Sequence, residues 1–158
     1  MKNFSALVIA IILIMSAVCV YAKNPTTLSA NDSGSVTDLV VVKKPETKNS
    51  ATVKKTYGIT GTGKSGVQVA YYKHNGITYV SLKDTNGAMA ETTIGNAGVF
   101  YKQVALSEGH NKFAVRAEAP NGAYQVVYFD INVLNQKILN NVSGFSNGIQ
   151  SLYNGWMN

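Results

Sequence analysis

Between about Thr52 and Val133 the chain alternates side chains with a period of two, and that alternation restricts it to β structure. Val67, Val69 and Tyr71 alternate with Gln68, Ala70 and Tyr72. Phe113, Val115 and Ala117 alternate with Ala114, Arg116 and Glu118, and Val127, Phe129, Ile131 and Val133 with Val126, Tyr128, Asp130 and Asn132. Successive strand side chains point to opposite faces, so each set lines one face of a sheet. The runs are separated by Gly61-Thr62-Gly63, Asn75-Gly76, Asn86-Gly87, Gly95-Asn96-Ala97-Gly98, Glu108-Gly109 and Asn121-Gly122. Asn-Gly pairs favour the left-handed dihedrals of tight hairpins. Short strands at this spacing predict an all-β, antiparallel sandwich over residues 52–133. No helical stretch interrupts them, which argues against a parallel α/β sheet.

The flanks have different grammars. Met1 and Lys2 open a positive start, Ala6 to Val20 is almost wholly apolar, and Val20-Tyr21-Ala22 offers the compact residues a signal peptidase needs. An apolar run of about 15 residues is short for a membrane span, which needs roughly 20. Residues 1–22 therefore read as a cleaved secretory signal, leaving no integral membrane span; an uncleaved anchor is the alternative. Val18 before Cys19 fits a lipoprotein site badly. Cleavage after Ala22 removes the one cysteine, and with it disulfides, thiol catalysis and thiolate-bound zinc. The expected destination is the exterior: secreted, or held at the cell surface.

Residues 23–51 are rich in Thr, Ser, Asn, Asp, Lys and Pro, with one apolar patch from Leu39 to Val42. So little apolar surface does not offset the entropy of ordering the chain, so a flexible polar and basic linker is expected. The patch is placed to add a strand at a sheet edge. The formal net charge of +6 is spread along the chain rather than concentrated, which gives no reason to expect a nucleic-acid partner.

Over 134–158 the period changes again. Leu134, Ile138, Val142, Phe145, Ile149, Leu152 and Trp156 recur at three- and four-residue steps, the stripe of a short amphipathic helix. Such a helix packs on the domain, docks a partner through Phe145, Ile149, Leu152 and Trp156, or lies at a membrane interface. Lys137 is the only charge among its polar residues, which disfavours the membrane. Self-association through this tail is one alternative function for the chain.

Chemistry-bearing motifs are sparse. Gly58-Ile59-Thr60-Gly61-Thr62-Gly63-Lys64-Ser65 satisfies the phosphate-loop pattern, and Val126-Val127-Tyr128-Phe129-Asp130 imitates its metal-binding strand. Context disfavours both. Lys54, Lys55 and Thr56 precede the loop instead of a buried strand, and Gly66 to Tyr71 follows it as an alternating β segment instead of a helix. A Gly-rich turn between strands is expected, and no cofactor. His74 and His110, the only histidines, adjoin turns. A Ser81, His74 and Asp84 set lacks a strained nucleophile turn, and two isolated histidines make no zinc site. The tyrosines carry more weight. Tyr124, Val126 and Tyr128 share one strand face, and Tyr72 and Tyr101 are expected to point outward. Such a stripe stacks on sugar rings or meets a protein; alternatively it is a belt half-buried against the linker or the tail.

Tyr57-Gly58-Ile59-Thr60-Gly61 with Gly66-Val67-Gln68-Val69, then Gly98-Val99-Phe100, Val104-Ala105-Leu106, Glu108-Gly109-His110-Asn111 and Phe113-Ala114-Val115-Arg116-Ala117, resemble bacterial immunoglobulin-like domains of exported and surface proteins. The resemblance covers roughly half the chain. It implies that Phe100, Leu106, Phe113 and Val115 are core, and that the domain serves adhesion, spacing or binding of a cell-envelope polymer or surface protein, with no catalytic residues. Lys102 departs from it, standing where an inward apolar residue is usual. The helix-like tail is not part of such domains.

Overall fold

Alternation becomes strands throughout the central region. A computed structural model describes residues 24–135, and these contain ten strands and no helix. They are β1 (Thr27–Leu28), β2 (Val40–Lys44), β3 (Asn49–Thr52), β4 (Thr56–Gly63), β5 (Gln68–His74), β6 (Tyr79–Ser81), β7 (Glu91–Thr93), β8 (Val99–Ala105), β9 (Gly109–Glu118) and β10 (Tyr124–Val133). The larger sheet runs β1-β6-β5-β9-β10-β3, with β7 on the same edge of β5 as β6, and the smaller runs β2-β4-β8. The expected signal peptide, and all of the C-terminal helix expected beyond Asn135, lie outside the described residues.

The two sheets share one core. Val69 and Tyr71 from β5, Phe113 and Val115 from β9, and Phe129 and Ile131 from β10 meet Val40, Ile59, Phe100 and Val104 from the smaller sheet. The rings of Phe113 and Phe129 stack with centroids 6.0 Å apart. Phe100, Leu106, Phe113 and Val115 are all buried. Core side chains of this size each contribute about 1.5–3 kcal/mol when removed from water, which holds two sheets together without a crosslink.

The hairpins use the chemistry of their turns. Gly122 sits at a φ of 81° between β9 and β10, a left-handed value that glycine takes without a Cβ clash. Beside it the Asn121 Oδ1 accepts from the Ala123 N–H at 3.1 Å. Asn75 does the same between β5 and β6, accepting from the N–H groups of Ile77 and Thr78.

Two expectations are corrected. Pairing is antiparallel except at β3, which runs parallel to β10 with Asp130 opposite Asn49 and Val133 opposite Thr52. And residues 24–51 are no linker. They supply β1, β2 and β3, including the edge strand expected from the Leu39 to Val42 patch. Leu28 is buried among Ala70, Tyr72, Tyr79, Ala114 and Val126, on the face of the larger sheet turned away from the core. The segment need not bury much apolar surface of its own, because it covers apolar surface that the sheet exposes. Its backbone is anchored at the same time: the Gln125 side chain accepts from the N–H groups of Leu39 and Val40 and donates to the Val40 carbonyl.

Candidate functional site

The two outer faces of the sandwich differ. That of the larger sheet carries Tyr72, Tyr124 and Tyr128 beside Arg116 and Glu118, and residues between 24 and 32 lie over it. Tyr72 is fully buried, and its hydroxyl donates to the Pro25 carbonyl at 2.8 Å. This corrects the outward, open position expected for it: the side chain does leave the core face, but into a covered layer. Tyr128 donates to the carbonyls of Ser29 and Asp32, at 2.7 and 2.8 Å. Tyr124 donates to the Asp32 carboxylate at 3.2 Å. Arg116 is buried, donates to both Glu118 and Asn24, and lies 4.4 Å from the centroid of the Tyr124 ring. Burial pushes the phenols of Tyr72 and Tyr128 up to about 12. These three tyrosines are committed to holding the N-terminal segment.

Tyr101 is placed differently. It lies on β8 with 57% of its surface exposed, and its ring lies over Gly58, where a Cβ would come within 2.8 Å of Cε2. On the same outer face of the smaller sheet, Val41, Thr62 and Val99 stand in one cross-strand row, and Thr60 pairs with Tyr101 in the next. Val41 and Val99 are more than half exposed. Lys43, Thr60, Thr62, Thr92, Val99 and Tyr101 line a shallow depression of about 600 Å³. An exposed aromatic ring, flanked by hydroxyls, a cation and two valines, suits stacking on the apolar face of a sugar ring while the hydroxyls bond to its edge.

Of the four tyrosines singled out by sequence, only Tyr101 faces the solvent on an open sheet. Val41, Val99, Thr60 and Thr62 were missed. The alternation of Val99, Tyr101 and Gln103 against Phe100, Lys102 and Val104 was the available signal. Phe145, Ile149, Leu152 and Trp156 lie outside the described residues.

The tempting motifs take ordinary positions. Gly58 to Gly63 belongs to strand β4, and Lys64 to Gly66 turn the chain into β5. The N–H groups of Gly63, Lys64 and Gly66 donate to the carbonyls of Gly98, Leu39 and Ile94, so they are not free to cradle a phosphate. The Lys64 ammonium pairs with Asp38 at 2.7 Å, and this hydrogen bond holds the Asp38 carboxyl below its usual range. His74 accepts from the Gly76 N–H and meets the Tyr79 ring edge-on, while Asp84 accepts from the N–H groups of Asn86 and Ala88. Nothing joins Ser81, His74 and Asp84 into a relay. His110 instead faces Asp130, with Nδ1 2.9 Å from Oδ2. Among the described residues, no group of three His, Cys, Asp or Glu side chains is placed to hold a metal.

Compared with known proteins, the chain matches no family model and no curated sequence.

Proposed function

We propose that this chain is a non-enzymatic, immunoglobulin-like binding module of an exported protein, and that it meets a component of the cell envelope through the open face of its smaller sheet. The observation that carries the reading is the asymmetry between the outer faces. One is covered by the protein's own N-terminal segment; the other presents Tyr101, Val99 and Val41 to water. Three of the six large apolar side chains that remain exposed among the described residues share this one face. Clustered exposure of that kind marks an interaction surface, whereas apolar residues scattered singly do not. The export signal read in the sequence and the two-sheet sandwich support the same reading. The ligand class that suits the face is a glycan chain of the envelope, stacked on Tyr101.

The test is co-sedimentation of the mature chain with isolated envelope glycan. Enrichment is expected, and Tyr101→Ala is expected to abolish it while leaving the thermal midpoint unchanged. Absence of enrichment, or equal enrichment of the variant, overturns the reading.

A further inference from the structure

Lys102 occupies a core-facing position. On β8 it lies between Phe100 and Val104, both buried, and it is itself half-buried. Lys73 stands in the same situation on β5, two residues beyond the buried Tyr71, with its ammonium 5.6 Å from the centroid of the Phe113 ring. Both side chains, together with Lys83, line a recess of about 450 Å³ formed where β5 and the chain after β6 come close to β8.

Three like charges in one recess repel one another, and two of them have given up part of their hydration. The Phe113 ring near the Lys73 ammonium and one carboxylate offset this only in part. The ion pairs among the described residues are Lys64 with Asp38, His110 with Asp130, and Arg116 with Glu118; none involves the three lysines. Asp84 is the only acid in the lining; its Oδ1 accepts from the N–H groups of Asn86 and Ala88, and its one negative charge stands against three lysines. Gln103 and Thr85 add neutral hydrogen-bonding groups. At position 102 the lysine stem can pack beside Phe100 and Val104 while its ammonium reaches the recess, so the core-facing strand position delivers a charge to that opening.

We propose that the recess lined by Lys73, Lys83 and Lys102 is a binding site for a multivalent oxyanion, such as a phosphodiester or polycarboxylate segment of an anionic polymer. The lysines come from three separate stretches of chain, so they meet more than one oxyanion group, each as a point charge able to follow a flexible ligand. The recess adjoins the Tyr101 face through Gln103, which accepts from the Tyr101 hydroxyl at 3.4 Å, but its three lysines are not part of the Tyr101 depression and the proposal does not depend on the use of that face.

The experiment is a calorimetric titration of the mature chain with glycerol-phosphate oligomers and, separately, with oligogalacturonate, at about 150 mM salt, where long-range attraction is largely screened. Saturable binding of at least one is expected, and the arm that binds identifies the oxyanion. The Lys73→Gln, Lys83→Gln, Lys102→Gln triple variant should bind about tenfold more weakly or worse. A control triple, Lys48→Gln, Lys54→Gln, Lys112→Gln, changes the net charge equally and should stay within about twofold of the parent. Amide shift changes in the unaltered chain should centre on β8 and the end of β5, a readout that does not require any variant to fold. No saturable binding in either arm, equal weakening in both triples, or shift changes spread over all the lysines would overturn the proposal.

Discussion

The ring of Phe100 lies so close to Gly61 that a Cβ at Gly61 would come within 2.5 Å of Phe100 Cε1, and equally close to the Val41 carbonyl oxygen. Gly61 is thus a packing glycine, the point where the middle strand of the smaller sheet makes room for an aromatic side chain from its neighbour. Gly61→Ala is expected to lower unfolding stability by about 1–3 kcal/mol, the usual effect of overpacking a core. Chemical denaturation measures it, and an unchanged midpoint would show that Phe100 yields freely.

Arg116 and Glu118 form an ion pair under the N-terminal segment, each less than 10% exposed. Removing one partner leaves a buried charge. Glu118→Ala is therefore expected to cost about 3–5 kcal/mol. Arg116→Met combined with Glu118→Leu should cost less than Glu118→Ala alone, because no charge is stranded. A double-mutant cycle gives the comparison, and simple additivity would contradict it.

Leu28 tests whether the N-terminal segment belongs to the folded unit. Its burial against Tyr79, Ala114 and Val126 predicts a loss of about 2–5 kcal/mol for Leu28→Ala. Deleting residues 24–36 should expose the tyrosine face and raise the fluorescence of a dye that binds apolar surface. A tether would show neither effect.

The buried phenols predict alkaline instability. Burial raises Tyr71, Tyr72 and Tyr128 from 10.0 to about 12. Each is held neutral by the fold, so its contribution is complete below pH 10 and is lost as the pH rises toward 12. Phenolate absorbance and circular dichroism, followed together, should show a late group of tyrosines ionising as the sheets open. Ionisation of every tyrosine near 10 with the fold intact would refute this.

The faces of β5, β9 and β10 were legible in the sequence because strand geometry is local: residues two apart share a face whatever lies beyond them. Val127, Phe129 and Ile131 announce a core face by their own spacing, and Asn75-Gly76 and Asn121-Gly122 announce their turns by the dihedrals they tolerate. Which outer face is covered was not legible. The Tyr128 hydroxyl reaches a carbonyl 99 residues away in sequence, and the segment supplying it is too polar to predict its own order. The parallel pairing of β3 with β10 escaped for the same reason, since a strand as polar as Asn49–Thr52 is recruited by the free edge beside it. Alternation and turn chemistry alone were enough for strands such as β5, β9 and β10, for the turns beside them and for the side chains they send into the core. That Tyr72, Tyr124 and Tyr128 are covered and Tyr101 is left open was settled on folding, because it depends on which distant backbone comes to lie over each sheet.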